Sequence, residues 1–191
     1  MFQREDFKNN THQMYETVLH FWFREIKPSQ WWKKNQNFDN LIKEKFENVY
    51  NKAIFCEFYR WRLSSRGRLA EIIILDQFSR NIYRNTSKAF QSDNQALLLA
   101  QEAISLKVEM EMNVNEKIFL YMPFMHSESL IIQKLSIKYF KKLGLKNNFD
   151  YAKKHYDVIK RFGRFPHRNE FLNRVSSNEE IKFLRNPGSR F

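Results

Sequence analysis

An all-α fold is predicted for this chain: antiparallel helix pairs stacked as a single domain of about eight to nine helices. Three observations predict it. Nineteen phenylalanines stand against only four glycines, which suits packed helices better than a turn-rich β protein. Apolar residues recur at three- and four-residue spacing in one segment after another. The breaks between these segments are short and carry helix caps and stops. A length of 191 residues gives room for one sizeable core and too little for two.

Residues 1–11 are polar and expected to fray, the domain spans 12–185, and 186–191 form a turn-like tail. Tyr15, Val18, Leu19 and Trp22 mark a first helix that ends near Pro28. Trp31 and Trp32 then plug a gap between helices, since two indoles bury much area. Phe38 and Asp39 begin a second helix with Leu41, Ile42, Phe46, Val49 and Tyr50 as its apolar positions. It runs or kinks into 53–62, where Trp61 closes an aromatic patch, and Ser64-Ser65-Arg66-Gly67 interrupts the pattern. The segment over 69–83 is the most apolar of all. Its run Ile72-Ile73-Ile74-Leu75 fits a buried strand by period alone, but its length and the lack of a second such run favour a central helix.

An Ala/Leu-rich helix follows over 93–106. Asn113 or Asn115 caps a helix reaching Tyr121, which Pro123 ends. Ser127 opens a long helix to Leu143, stopped by Gly144. Phe149, Ala152, Tyr156 and Ile159 mark another, stopped by Gly163 and Pro166. Ser176-x-x-Glu179 and Ser177-x-x-Glu180 are both capping-box spacings before a final short helix. There is no exact internal repeat, yet paired helices with short links resemble a helix-hairpin stack.

The formal net charge is +12. Such a field attracts nucleic acid, acidic membranes or anionic metabolites. The lysines are spread along the chain rather than gathered into one block, and the abundance of Lys, Asn, Phe and Ile fits a nucleotide bias in the coding genome. Cys56 is the only cysteine, which rules out an intrachain disulfide and fits a reducing cytosol. Its neighbours Phe55 and Phe58 point to a buried, inert thiol. The N-terminus lacks an apolar signal region and no stretch approaches ~20 apolar residues, so a cytoplasmic protein without membrane contact is expected. Oligomeric state is not legible.

Three polar constellations stand where core is expected. The first is 76–84, where Asp76 and Arg80 lie four apart on one helix face and Gln77, Asn81 and Arg84 share the next. Arg80 and Arg84 there either present charge to an anion or tie helices together. The second is Pro123-Phe124-Met125-His126-Ser127-Glu128, which puts His126 or Glu128 near a helix N-terminus, with His126 a potential general base and Gln133 on its side of the helix. The third joins His155 to 161–169, where Arg161, Arg164, His167, Arg168 and Asn169 alternate with Phe162 and Phe165. Fixed guanidinium forks amid aromatic rings suit something anionic or rich in carbonyls. Residues 151–174 hold seven Lys/Arg against Asp157 and Glu170, so an RNA backbone and a stacked base are also candidates, although no named RNA-binding motif occurs. His126, His155, His167 and a carboxylate are of the types that bind Zn²⁺ or Fe²⁺. No His-x-x-x-His or His-Glu-x-x-His spacing occurs, so no metal is expected. No nucleophile elbow, dinucleotide fingerprint or P-loop occurs either, and no cofactor is expected.

Taken together, Trp22-Phe23, Leu69-Ala70-x5-Asp76-Gln77-Phe78-x-Arg80-Asn81, Ala89-Phe90-x2-Asp93-x2-Ala96, the 121–128 run and His155-x5-Arg161 through Asn169 resemble the uncharacterised bacterial family DUF924. The resemblance covers roughly 15–185. It implies an all-α fold similar to tetratricopeptide-repeat stacks and names no reaction. Two positions depart from the family pattern: Ser79 stands where Pro is usual, and Asn173 stands where Gly usually precedes the Arg matched by Arg174.

The three segments are expected to converge on one concave pocket. Arg80, Arg161, Arg164 and Arg168 would supply positive charge there, and His126, His155 and His167 titratable groups. The leading expectation is a ligand-binding site for a small anion, an acidic peptide or RNA, using Asp76, Gln77, Arg80, Asn81, His126, His155, Arg161, Arg164, His167, Arg168 and Asn169. The alternative is a small enzyme with His126 or His167 as general acid–base, Glu128 as its orienting group, a raised histidine pKa and Arg stabilising an anion.

Overall fold

Eight α-helices, five short 3₁₀ turns and no strand make up residues 13–190, the part of the chain that the computed structural model describes. Helix α1 covers 13–20 and continues through a π turn, Phe21–Glu25. Next come α2 (Gln36–Ile54) and α3, which starts as Ser65–Ile73, widens into a π turn at Ile74–Phe78 and closes with Ser79–Ile82. The rest are α4 (Asp93–Ser105), α5 (Val114–His126), α6 (Leu130–Leu143), α7 (Lys146–Phe162) and α8 (Asn178–Leu184). The segment expected to fray, 1–11, lies outside the described residues.

α3 is the central element. Every residue from 69 to 79 is buried, and the helix packs on α2, α4 and α5. Aromatic rings seal one side of it. Phe78 meets Phe46 at 4.7 Å and Trp22 at 5.4 Å between centroids, and Trp22 meets Phe119 of α5 at 5.4 Å. The two Trp22 pairs are edge-to-face, a geometry that adds to the gain from burial alone. Trp31 fills the gap expected of it, donating from Nε1 to the Trp22 carbonyl at 2.9 Å, whereas Trp32 lies half exposed over Phe119. From α5 onward the chain pairs in sequence: α5 on α6, then α6 on α7, with links too short for anything but antiparallel neighbours.

Caps set most boundaries as read. Asn113 and Glu116 form a capping box, as do Ser177 and Glu180. Gly144 (φ 78°) and Gly163 (φ 71°) end α6 and α7 in the left-handed conformation. Three expectations are corrected. Pro123 does not end α5, which runs on to His126; only the Phe119 carbonyl loses its partner, and Gln133 Nε2 supports the far end by donating to the carbonyls of Met125 and Ser127, both at 2.7 Å. Cys56 is exposed, because α2 stops at Ile54 and Cys56 turns the chain at φ 58°. Ser64 to Gly67 is no interruption: Ser64 N-caps α3, and Gly67 lies inside its first turn.

Gly67 is there for contact. A Cβ at this position would sit 2.3 Å from the Trp61 carbonyl oxygen, which is backbone and has little room to yield. Gly67→Ala is therefore expected to lower unfolding free energy by about 1–3 kcal/mol in urea titration, despite the better helix propensity of Ala.

Candidate functional site

The π turn of α3 carries the first part of the site. It places the Asp76 side chain inside the protein with no solvent contact. Ser92 Oγ donates to the Leu75 carbonyl at 2.7 Å and Arg80 Nη1 to the Asp76 carbonyl at 2.6 Å, so the widened turn is held by side chains. One Asp76 carboxylate oxygen accepts from Gln77 Nε2 at 2.5 Å. The other lies 2.7 Å from His126 Nδ1 and 3.4 Å from Arg80 Nη1.

His126 is the last residue of α5 rather than a group at a helix N-terminus, and α6 begins only at Leu130. Its side chain keeps 12% of its exposure, against 1% for Asp76. A carboxylate can only accept, so Nδ1 carries the proton and Nε2 is the basic nitrogen. His155 on α7 follows the same logic, with Nδ1 donating to the Tyr151 carbonyl at 2.8 Å. The two imidazole centroids are 6.3 Å apart. Phe165 stands next to both His155 (5.5 Å) and His167 (5.7 Å).

Arg168 completes the cluster. Its guanidinium lies between the rings of Phe90 (4.6 Å) and Phe165 (4.7 Å). Nη1 donates to Asp93 at 2.9 Å and Nη2 to the His126 carbonyl at 2.9 Å. Arg80 meets the same Asp93 at 2.9–3.0 Å. Arg168 Nε is a buried N–H with no acceptor among the described residues. Asp76, Gln77, Arg80, His126, His155, His167 and Arg168 thus come together, joined by Asp93 and Phe90. Those last two were visible in the sequence only as part of the Phe90-x2-Asp93 motif and were not read as site residues.

The other candidates go elsewhere. Asn81 and Arg84 both bind Asp39 of α2, Arg84 through two bonds of 2.5 and 2.7 Å. Arg164 is bidentate on Glu180 (2.7 and 2.8 Å), so its charge is spent on α8 rather than on His126. Arg161 is exposed and lies over Phe162 at 4.7 Å. Asn169 donates to Ser176 Oγ at 3.0 Å. Glu128 does not orient His126: it takes Arg174 at 2.8 and 3.0 Å and the Phe165 N–H at 2.9 Å, and the orienting carboxylate is Asp76. Asn173, standing in for Gly, adopts φ 53°, so the tight turn before Arg174 is kept by a residue that tolerates it. An open depression of about 540 Å³ lies away from this cluster, along α2, lined by Asn40, Lys43, Glu44, Glu47, Asn48 and Asn51. Among the described residues, no group of three or more His, Cys, Asp or Glu side chains is arranged to hold a metal ion. No described helix is long and apolar enough to cross a membrane.

The charge states follow from the surroundings. Burial works to raise the Asp76 carboxyl, but His126, Arg80 and the Gln77 donor outweigh it and hold it at about 2. Burial and the Arg80 charge lower His126, with Asp76 opposing. His155 and His167 fall to about 3, burial first; a protonated His126 would further oppose a proton on His155, and the charges of Arg168 and Lys34 oppose one on His167. The expectation of a raised histidine pKa is thereby corrected, because the guanidinium groups face rings already short of water. At neutral pH the cluster holds two carboxylates, two guanidinium groups and three neutral imidazoles.

A family model described as "Bacterial protein of unknown function (DUF924)" matches residues 18–188. The chain belongs to the DUF924 family. A solved structure titled "Structure of Protein of Unknown Function ATU0120 from Agrobacterium tumefaciens" is similar at 30% identity and a TM-score of 0.88, covering 92% of this chain and 98% of that one. Among curated proteins nothing matches.

The depressed imidazoles make stability depend on pH with a definite sign. Unfolding returns them to about 6.5, so the unfolded chain binds more protons between about 3 and 6.5. Stability present above pH 6.5 is lost as pH falls through that window, and below about pH 4 Asp76 and Glu180, both held at about 2, add to the loss. Urea unfolding is expected to give a flat free energy from pH 7 to 8 and a decline from pH 6.5 to 4. His155→Gln should flatten the upper part of that decline.

Proposed function

We propose that the cluster around His126 binds a small molecule bearing an anionic group. The bond between Asp76 and His126 carries this reading. It presents Nε2 as a basic nitrogen on a ring that keeps an exposed edge, beside the guanidinium groups of Arg80 and Arg168. The unmatched N–H of Arg168 is a further donor for a ligand oxygen. The arginine side chains retain only 18% and 7% of their exposure, which supports a small ligand here over an acidic peptide or an RNA backbone. A scaffold of tetratricopeptide-like hairpins is part of this proposal, supported by the antiparallel pairs α5–α6 and α6–α7. A cytoplasmic location is too, supported by the lone thiol.

Arg80 and Arg168 are already matched by Asp76 and Asp93, so an arriving anion adds uncompensated negative charge. A proton on His126 compensates it, and binding is coupled to proton uptake. Calorimetry with inorganic phosphate, acetate and succinate in buffers of differing ionisation enthalpy tests this. Affinity for one of them is expected to rise by up to about tenfold per pH unit as pH falls from 8 to 6, in step with one bound proton. His126→Gln, which keeps a donor toward Asp76, should abolish the uptake without lowering the melting temperature by more than a few degrees. The reading fails if none of the three binds, or if uptake survives in His126→Gln.

The same bond favours a second reading, an enzyme in which His126 is the general base and the arginines hold developing negative charge. In that case His126→Gln retains ligand affinity and loses turnover.

A further inference from the structure

More than half of the net positive charge of this chain falls on one hairpin. Of 33 Lys/Arg and 21 Asp/Glu in the whole sequence, residues 130–162 hold nine and two, which leaves 24 and 19 for the other 158 residues. The hairpin therefore carries a net +7 of the chain's +12. The helices of this hairpin, α6 and α7, bury Gln133, Ser136, Phe140, Ala152, His155, Val158 and Ile159 against the body and turn their lysines outward. Lys146 and Lys153 are taken by Asp150 at 2.7 and 2.8 Å. Among the described residues, Lys134, Lys138, Lys141, Lys142, Lys154 and Lys160 are exposed with no carboxylate in ion-pairing range.

We infer that the outer face of the α6–α7 hairpin is a docking surface for single-stranded RNA. Charge complementarity is the first argument. Lys134, Lys138 and Lys141 repeat every three to four residues along one side of α6, a rise of about 5–6 Å per step. Lys154 and Lys160 add two further exposed cations on the antiparallel α7. Such rows track a phosphodiester backbone through exchange of condensed counterions. The second argument is Tyr151, 55% exposed on the same hairpin, with Lys154 Nζ 5.2 Å from its ring centroid. An exposed aromatic face beside a cation is what an unpaired base stacks on, and RNA is the nucleic acid that routinely offers unpaired bases. An acidic membrane fits less well. Most of the apolar side of each helix is used in the core; the large apolar side chains left exposed on the hairpin are Leu130, Ile131 and Tyr151, a narrower strip than the continuous apolar face an interfacial helix inserts.

This surface is separate from the His126 cluster and does not depend on it. Of the arginines in 161–174 that the sequence offered for RNA, Arg164, Arg168 and Arg174 are committed to Glu180, Asp93 and Glu128. The lysines of α6, outside that segment, take their place.

Fluorescence anisotropy with a labelled 20-nucleotide oligo(U) tests the surface. Binding is expected at 50 mM salt, with a slope of log affinity against log salt of about −4, from about −0.7 per contact over five or six contacts. Lys138→Glu/Lys142→Glu/Lys154→Glu should reduce affinity at least 50-fold. The control Lys33→Glu/Lys88→Glu/Lys107→Glu, which changes net charge equally from exposed positions elsewhere, should reduce it less than fivefold. Tyr151→Ala should weaken oligo(U) more than a duplex of the same length. Equal losses in both triple variants overturn the proposal, as does absence of binding at 50 mM salt. So does flotation with phosphatidylserine vesicles in the absence of oligo(U) binding.

Discussion

Asp76 occupies the middle of the most apolar helix of the chain, where water cannot reach it. An ionised carboxylate in that position is tolerable only when donors surround it, because the cost of removing its hydration is several kcal/mol. The donors are Gln77 and His126, and the Arg80 guanidinium adds its charge at 3.4 Å. Arg80 in turn needs Asp93, Asp93 binds Arg168, and Arg168 reaches back to the His126 carbonyl. The chain of contacts closes on itself. Through it one buried charge fixes α3, α4, α5 and the 3₁₀ turn Pro166–Arg168 relative to one another. Removing a single member leaves the others desolvated and unmatched, so these groups act as a unit and their contributions are not additive.

The π turn makes this arrangement reachable. Up to Ile73, α3 is an ordinary helix whose buried faces meet α4 and α5. One inserted residue rotates everything after it by about 100° relative to an uninterrupted helix. With that rotation, Asp76 meets His126 while Asn81 and Arg84 meet Asp39 of α2. A single helix thus grips two neighbours with polar groups on either side of one irregular turn. Ser79 continues the helix and donates to the Asp76 carbonyl at 3.3 Å, so the turn is held without a proline.

The helices were legible because their apolar spacing and caps are local properties. Asn113 and Ser177 announce their helices within four residues, and Gly144 and Gly163 announce the ends. Pro123 misled because local steric rules count a lost hydrogen bond but not the tertiary packing that keeps α5 going past it. Cys56 misled because aromatic neighbours in sequence do not settle which way a residue with positive φ points. The site was half legible. Asp76, Arg80, His126, His155, His167 and Arg168 stood out as polar groups in apolar company. Their partners did not, since an acid such as Asp93 or Glu180 near a helix start reads equally well as a capping residue. Choosing Glu128 over Asp76 as the partner of His126 was an error of sequence distance: two residues apart looked closer than fifty, and the fold reverses that order.

Arginine and lysine divide the positive charge of this protein by chemistry. Arg62, Arg84, Arg164 and Arg174 each take a carboxylate with two hydrogen bonds, and Arg80 and Arg168 share Asp93. A planar fork suits buried, oriented pairing, whereas an ammonium on a flexible stem keeps its water. The arginines are therefore largely balanced where they stand, and the net charge of +12 is mostly lysine at the surface. It follows that the field felt by a distant anion and the charges at the His126 cluster have different origins. The cluster is neutral overall at pH 7 and works through fixed geometry at short range. The lysine surface works at long range and fades within a Debye length of about 8 Å at physiological salt. A ligand that responds strongly to salt and one that responds strongly to pH would accordingly be reporting on two separate parts of this molecule.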